Sequence, residues 1–247
     1  MTAQLSAADI AKRAAAREAV KLVEDGMRLG LGTGSTAAWF VELLAERVKA
    51  EKLDIVGVPT SLRTGKQAER LGIKLTTLDQ AGWLDLTVDG ADEFDRDLNL
   101  IKGGGGALLQ EKIVATASDR VVILTDPSKQ VESLGSFPLP VEVVPFGWQI
   151  TKAIIEETLE TLDVDGRIAV LRLNKDAPYI TDGGHFIIDL HLKRIGDVEE
   201  LSDALNRIAG VVENGLFIDI ADEVIVGHED GTADVIVFHD DEDEDSH

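Results

Sequence analysis

Asp89, Asp92, Lys102 and Glu111 are gathered in one stretch, DLTVDGADEFDRDLNLIKGGGGALLQEK, from Asp85 to Lys112. Asp89 and Asp92 close a short apolar run, Leu86 to Val88, that reads as a buried strand ending in an acidic turn with Glu93 and Asp95. Lys102 follows, and then Gly103, Gly104, Gly105 and Gly106. Four residues without side chains can bring backbone N–H groups close to a ligand or take up positive φ. From Leu108 to Ala117 a helical pattern resumes, with Glu111 about one turn inside it. A carboxylate can shuttle a proton, a lysine can stabilise a developing oxyanion, and a glycine loop can anchor the other end of a substrate. Taken singly, each residue also fits an acidic turn or a solvated helix face. Their concentration at one strand-to-helix junction makes it the candidate active site.

A second loop, GLGTGST from Gly30 to Thr36, could cradle a phosphate, because its glycines expose N–H groups and the following helix presents its positive end. Gly32, Gly34 and Ala37 satisfy G-x-G-x-x-A, but a dinucleotide site also needs an acid at the end of the next strand, where Gly57, Val58 and Pro59 stand. The alternative is a tight turn that needs glycine for its geometry. With the hydroxyls of Thr33, Ser35 and Thr36 beside it, a sugar phosphate fits better than a nucleotide. Lys129, in the turn Asp126, Pro127, Ser128, Lys129, is a candidate second phosphate contact.

Such residues need strands and helices to hold them. Ala7 to Asp25 reads as a helix with Ser6 as its N-cap and Gly26 past its end. Met27 to Leu31 predicts a strand, followed by the glycine loop and a helix carrying Trp39, Phe40, Leu43 and Leu44. A second such unit runs through a strand from Ile55 to Val58 and a helix from Leu62 to Leu71, with further strands near Leu75, Leu86 and Val121. This alternation predicts a Rossmann-like parallel sheet with ligands beyond the carboxyl ends of its strands. From Ser133 to Pro145 the texture changes, and Pro138, Pro140 and Pro145 mark a domain crossing. Beyond it, strands at Val141 to Val144, Ile168 to Leu173, His185 to Leu190 and near Val211, with helices from about Gln149 to Thr161 and Asp197 to Ile208, follow the ferredoxin-like α+β order. Glu223 to His228 and Asp234 to Phe238 read as a last pair of strands returning to the first domain. The resulting division is α/β: residues 1–132 plus 209–247 as a Rossmann-like catalytic domain, and 133–208 as a smaller ferredoxin-like domain.

Composition narrows the classes. The chain has 46 acidic and 24 basic residues in 247, a net charge of -22, which opposes binding to nucleic acid. Acids occur throughout, and only Asp240 to Asp245 form a block that reads as a solvated tail. A surface so charged predicts a halophilic protein that needs salt to screen its self-repulsion. No apolar run is long enough to span a membrane and no signal-peptide layout opens the chain, so a cytoplasmic location is expected. The absence of cysteine removes disulfides and a thiol nucleophile. His185, His191, His228, His239 and His247 are scattered without ligand spacing, so no metal site is expected.

The ordered segments GLGTGSTA (Gly30 to Ala37), PTS with Thr64, DGADEFD (from Asp89), LIKGGGGALLQEK (from Leu100), DPSK (from Asp126), PLPVEVVPFG (ending at Gly147) and GVVENGLF (from Gly210) together closely resemble type A ribose-5-phosphate isomerases. TDGGH, Thr181 to His185, departs from the pattern, which would place asparagines at Gly183 and His185. The resemblance implies a metal-independent and cofactor-free interconversion of ribose 5-phosphate and ribulose 5-phosphate through an enediolate. It implies Glu111 as the base between C2 and C1, Asp89 assisting ring opening and hydroxyl proton transfer, and Asp92 supporting it. Lys102 and the amides of Gly103, Gly104 and Gly105 would hold the substrate and offset enediolate charge. Thr33, Gly34, Ser35 and Thr36 would bind at the first loop, Gly90 and Ala91 would line the site between the two aspartates, Lys129 would complete the pocket, and Lys12 is a further contact. A homodimer or homotetramer, without nucleic-acid or membrane partners, is also implied. A non-catalytic sugar-phosphate sensor and a coenzyme A transferase-like enzyme are the rival classes; the first should carry a basic helix-turn-helix and the second its own glutamate nucleophile.

Overall fold

The fold was analysed in a computed structural model, which describes residues 5–237. Phe238, His239, His247 and the acidic block from Asp240 to Asp245 lie outside the described residues. Helix α1 (Ala7–Val20) begins where the Ser6 side chain accepts the Asp9 N–H, and it buries Ala11, Ala14, Ala15, Ala16, Ala19 and Val20. It stops short of the expected Asp25, because Arg47 reaches over from the next helix and donates to the carbonyls of Val20 and Val23 at 2.5 and 2.7 Å. Carbonyls satisfied in this way need no further helical turn.

The chain then builds β1 (Arg28–Leu31), α2 (Ser35–Glu51), β2 (Val56–Pro59), α3 (Leu62–Leu71), a single turn α4 (Leu78–Ala81) and β3 (Leu86–Gly90). Leu75 forms only an isolated bridge to Gly57, not a strand, and Thr77 caps α4 directly after it. Two short strands, β4 (Glu93–Phe94) and β5 (Leu100–Ile101), precede α5 (Leu108–Thr116) and β6 (Val121–Thr125), which ends in a 3-10 turn, Pro127–Lys129. The second part contains β7 (Leu139–Val143), α6 (Trp148–Leu159), β8 (Ile168–Leu171), β9 (Leu173–Asn174), β10 (Ala177–Pro178), β11 (Phe186–His191), α7 (Val198–Asn206) and β12 (Val211–Asn214). The last strands are β13 (Leu216–Phe217), β14 (Glu223–Gly227) and β15 (Ala233–Val237).

The main sheet has the order β15-β14-β6-β3-β1-β2 and is parallel apart from β15, so the last two strands do return to it. Phe40, Val41 and Leu44 of α2 and Ala15, Ala16 and Ala19 of α1 pack with Leu29, Leu31, Val88, Val122 and Leu124 in one core cluster. Val114 of α5 packs instead with Val58 and Leu84 in a separate cluster. Chain order reverses between β1 and β3, and such a reversal opens a crevice at the carboxyl ends of the two strands.

The smaller sheet has the order β12-β7-β11-β8, antiparallel throughout, which is the ferredoxin-like arrangement. Leu139, Val141, Val143, Ile188 and Leu190 face Ile155 and Leu159 of α6 and Leu201 and Leu205 of α7. Pro140 lies inside β7 rather than between domains. Having no N–H, it contributes only its carbonyl, which accepts from Gly215 at 2.8 Å. The strand expected to run to Leu173 breaks at Arg172, and β9 turns away to form a hairpin with β10. A third sheet, β13-β5-β4, shares its residues between two cores: Ile101 and Leu216 pack with the smaller sheet, and Phe94, Leu100 and Phe217 pack with Ile123 and Val224 of the main sheet.

Candidate active site

Asp89 ends β3 at the crevice, and the loop after β1 folds onto it. The Thr33 and Gly90 N–H groups donate to Asp89 Oδ1 at 2.9 and 2.7 Å. Gly32 makes this approach possible, since a Cβ there would lie 2.2 Å from Asp89 Oδ1 and 2.5 Å from the Asp89 Cα. Lys102, just past β5, places Nζ 3.0 Å from Asp89 Oδ2 and 3.1 Å from Glu111 Oε1, and donates also to the Gly90 carbonyl. The ammonium therefore donates two hydrogen bonds and pairs with both carboxylates, with the Phe217 ring centroid 5.3 Å away.

Asp89, Lys102 and Glu111 are all buried. Burial alone would pull the Lys102 pKa down, but the charges of Asp89 and Glu111 outweigh it and the net shift is upward. Glu111 is pushed up to about 8, first by burial and then by the charge of Asp89, while Lys102 pulls the other way. A carboxyl group with that pKa near neutrality can both take and return a proton.

These groups face a cavity of ≈ 280 Å³. Thr33, Gly34, Ser35 and Thr36 form one wall at the N-terminus of α2, where Gly34 adopts φ 116°. Behind them the Thr33 hydroxyl meets those of Thr60 and Ser61, each at 2.8 Å, and of Thr64 at 3.2 Å. Lys12 of α1 and Lys129 line the same cavity, as do Gly90, Ala91, Asp92, Lys102, Gly103, Gly105 and Glu111. Asp92 Oδ2 accepts the Gly104 N–H at 2.7 Å, which ties the acidic turn to the glycine loop.

Asp89 and Gly104 do not line the cavity. Both oxygens of Asp89 are committed to protein donors, and the Gly104 N–H is turned onto Asp92. Four lining residues escaped the sequence reading: Ala8, Thr125, Asp126 and Ser128. Thr125 and Ser128 follow from the rule that ligands sit at strand ends, since they flank the end of β6. Thr125 Oγ1 is buried without a hydrogen-bond partner among the described residues. Ala8 carries no chemical signal.

A model of the family described as ribose 5-phosphate isomerase A (phosphoriboisomerase A) matches residues 56–231. The chain belongs to the ribose 5-phosphate isomerase A family. Relatives named ribose-5-phosphate isomerase A include one from Cereibacter sphaeroides, 68% identical over 94% of this chain and 88% of that protein. Another, from Ruegeria pomeroyi, is 63% identical over 95% of this chain and 90% of its own length. Among solved structures of the family, ribose 5-phosphate isomerase A from Methanocaldococcus jannaschii superposes with a TM-score of 0.86 at 43% identity, covering 94% of this chain and all of that one. A second isomerase structure, in complex with phospho-erythronic acid, gives a TM-score of 0.84 at 46% identity over 92% of this chain and 97% of its own. No described helix is long and apolar enough to cross a membrane.

Proposed function

We propose that this protein interconverts D-ribose 5-phosphate and D-ribulose 5-phosphate in the pentose phosphate pathway, through an enediolate and without a metal or cofactor. The observation that carries this reading is the buried Asp89–Lys102–Glu111 cluster, whose Lys102 and Glu111 line a cavity that also offers threonine hydroxyls, a helix N-terminus and two further lysines. Thr33, Ser35 and Thr36, with Lys12 and Lys129, take the dianionic phosphate. Ionised Glu111 removes the proton from C2 of the open-chain aldose and returns it to C1; the C1 carbonyl becomes a hydroxyl as the C2 hydroxyl becomes a carbonyl, so no atom is gained or lost.

Lys102 gives this exchange its charge balance. When Glu111 takes the proton it becomes neutral and releases its hold on the ammonium, so the lysine's charge turns toward the enediolate oxygens as their negative charge develops. Asp92, on the cavity wall, handles the hydroxyl proton. Asp89 acts from behind, raising the basicity of Glu111 and orienting Lys102.

The large unit is proposed to comprise residues 1–132 and the returning strands. The small unit then includes β12 beyond position 208, because that strand hydrogen-bonds to β7. We further propose a cytoplasmic homodimer or homotetramer. Phe146, 92% exposed, and Ile150, 68% exposed, support association through the small unit.

Formation of ribulose 5-phosphate by wild type and Glu111→Gln, each with a chelator present, tests the assignment. Loss of the base should lower kcat by roughly 10²–10⁴-fold with the sugar phosphate still bound. A wild-type protein that binds the sugar phosphate without turnover would favour the sensor reading, and near-normal turnover in the variant would remove Glu111 from the role of base.

A further inference from the structure

The glycine loop is gripped from the small unit. Arg172, at the break between β8 and β9, holds the Asp189 carboxylate of β11 with Nη2 at 2.5 Å and Nε at 2.9 Å. This fork leaves Nη1 free to donate to the Gly103 carbonyl at 2.8 Å and the Gly104 carbonyl at 3.3 Å. The Tyr179 hydroxyl donates to the Gly105 carbonyl at 3.4 Å, and its ring centroid lies 6.0 Å from the guanidinium carbon. The side chains of Arg172 and Asp189 are only 15% and 19% exposed, so the pair is shielded from water.

Three successive carbonyls therefore point toward the small unit. In a planar trans peptide the N–H points away from the preceding C=O. Fixing the Gly103 carbonyl turns the Gly104 N–H onto Asp92, and fixing the Gly104 carbonyl turns the Gly105 N–H the same way. Gly105 lines the cavity, and its N–H meets no acceptor among the described residues. A free chain of four glycines would sample many peptide orientations, so the geometry is imposed from outside the loop.

We infer that Arg172, oriented by Asp189 and backed by Tyr179, is a positioning residue for the isomerisation: it fixes the Gly103–Gly105 peptides so that the Gly105 N–H is presented to an oxygen of the bound substrate. The inference rests on the isomerase reading above. Lysine cannot replace arginine here, because one ammonium cannot hold the Asp189 fork and reach two carbonyls together.

The test compares full-length wild type with Arg172→Met, Arg172→Lys, Asp189→Asn and Tyr179→Phe. Three readouts apply: kcat/KM with ribose 5-phosphate, affinity for phospho-erythronic acid, and amide hydrogen exchange across Gly103 to Gly106. A misplaced loop is expected to lower kcat/KM by about ten- to a hundred-fold in Arg172→Met. Exchange in the loop should accelerate, with a smaller loss in Asp189→Asn and a modest one in Tyr179→Phe. Affinity for phospho-erythronic acid should fall in parallel with kcat/KM, and Arg172→Lys should rescue little. An Arg172→Met protein with wild-type kcat/KM and wild-type loop exchange would overturn the inference. So would variants that lose thermal stability alone while the folded fraction keeps full activity. If Arg172→Met does not fold, Tyr179→Phe and Asp189→Asn decide by the same readouts. Wild-type inactivity would instead sink the isomerase assignment, and the exchange measurement would still report on the grip.

Discussion

Glu111 and Asp89 divide the work of two carboxylates by their surroundings. Glu111 faces the cavity with few donors, while Asp89 is saturated by two backbone N–H groups and Lys102. Because the Glu111 pKa is raised to about 8, the proposed base is protonated at lower pH, and kcat/KM should climb as pH rises through that value. Burial and the Asp89 charge cause the shift, in that order, so Asp89→Asn should move the acid limb to lower pH while lowering the maximal rate. A pH profile of kcat/KM for both proteins checks this; an unmoved limb would mean that the Asp89 charge does not set the basicity of Glu111. The motif DGADEFD made both aspartates visible in the sequence. That Asp89 is turned inward was not legible, because it depends on the close approach of Gly32 from a different strand.

Among the elements, the loops after β1 and β3 depend on each other. The absence of a side chain at Gly32 lets β1 approach the Asp89 backbone, and the Gly32 carbonyl accepts from the Thr64 hydroxyl of α3 at 2.9 Å. Gly32→Ala should cost roughly 1–3 kcal/mol by overpacking and displace the threonine wall of the cavity. Urea unfolding would measure the first effect and substrate affinity the second. Stability and affinity both equal to wild type would show that the strands can separate without consequence. The longer strands of the main sheet, the glycine loops and the Leu62–Leu71 helix were readable from local pattern, whereas the strand expected near Leu75 was not formed. What pattern could not show was the end of α1 at Val20, set by Arg47 of another helix, or the meeting of Arg172 with the glycine loop. Those contacts arise from tertiary packing between distant parts of the chain, and periodicity does not encode them.

For the whole molecule, a net charge of -22 opposes the dianionic substrate of the proposed reaction, while Lys12, Lys102 and Lys129 line the cavity proposed to take it. Salt screens the long-range repulsion between exposed charges more than the short contacts of buried groups. Raising ionic strength from dilute to moderate is therefore expected to lower the apparent KM and to raise the thermal midpoint. A flat or rising KM in a still-folded enzyme would refute the first part, and a midpoint indifferent to salt the second. The same molecule places α1 against β14, so closely that a Cβ at Gly227 would lie 1.9 Å from the Ala11 carbonyl oxygen. α1 also carries Lys12 and Ala8 to the cavity. During synthesis on the ribosome, that helix emerges long before the strand it must pack on, and β14 in turn pairs with β6 across the whole small unit. The seat of α1, and with it of Lys12, is thus finished only when the closing strand has emerged, and a ribosome stalled before β14 would display a chain that holds Glu111, the proposed base, with Lys12 on a helix not yet fully packed.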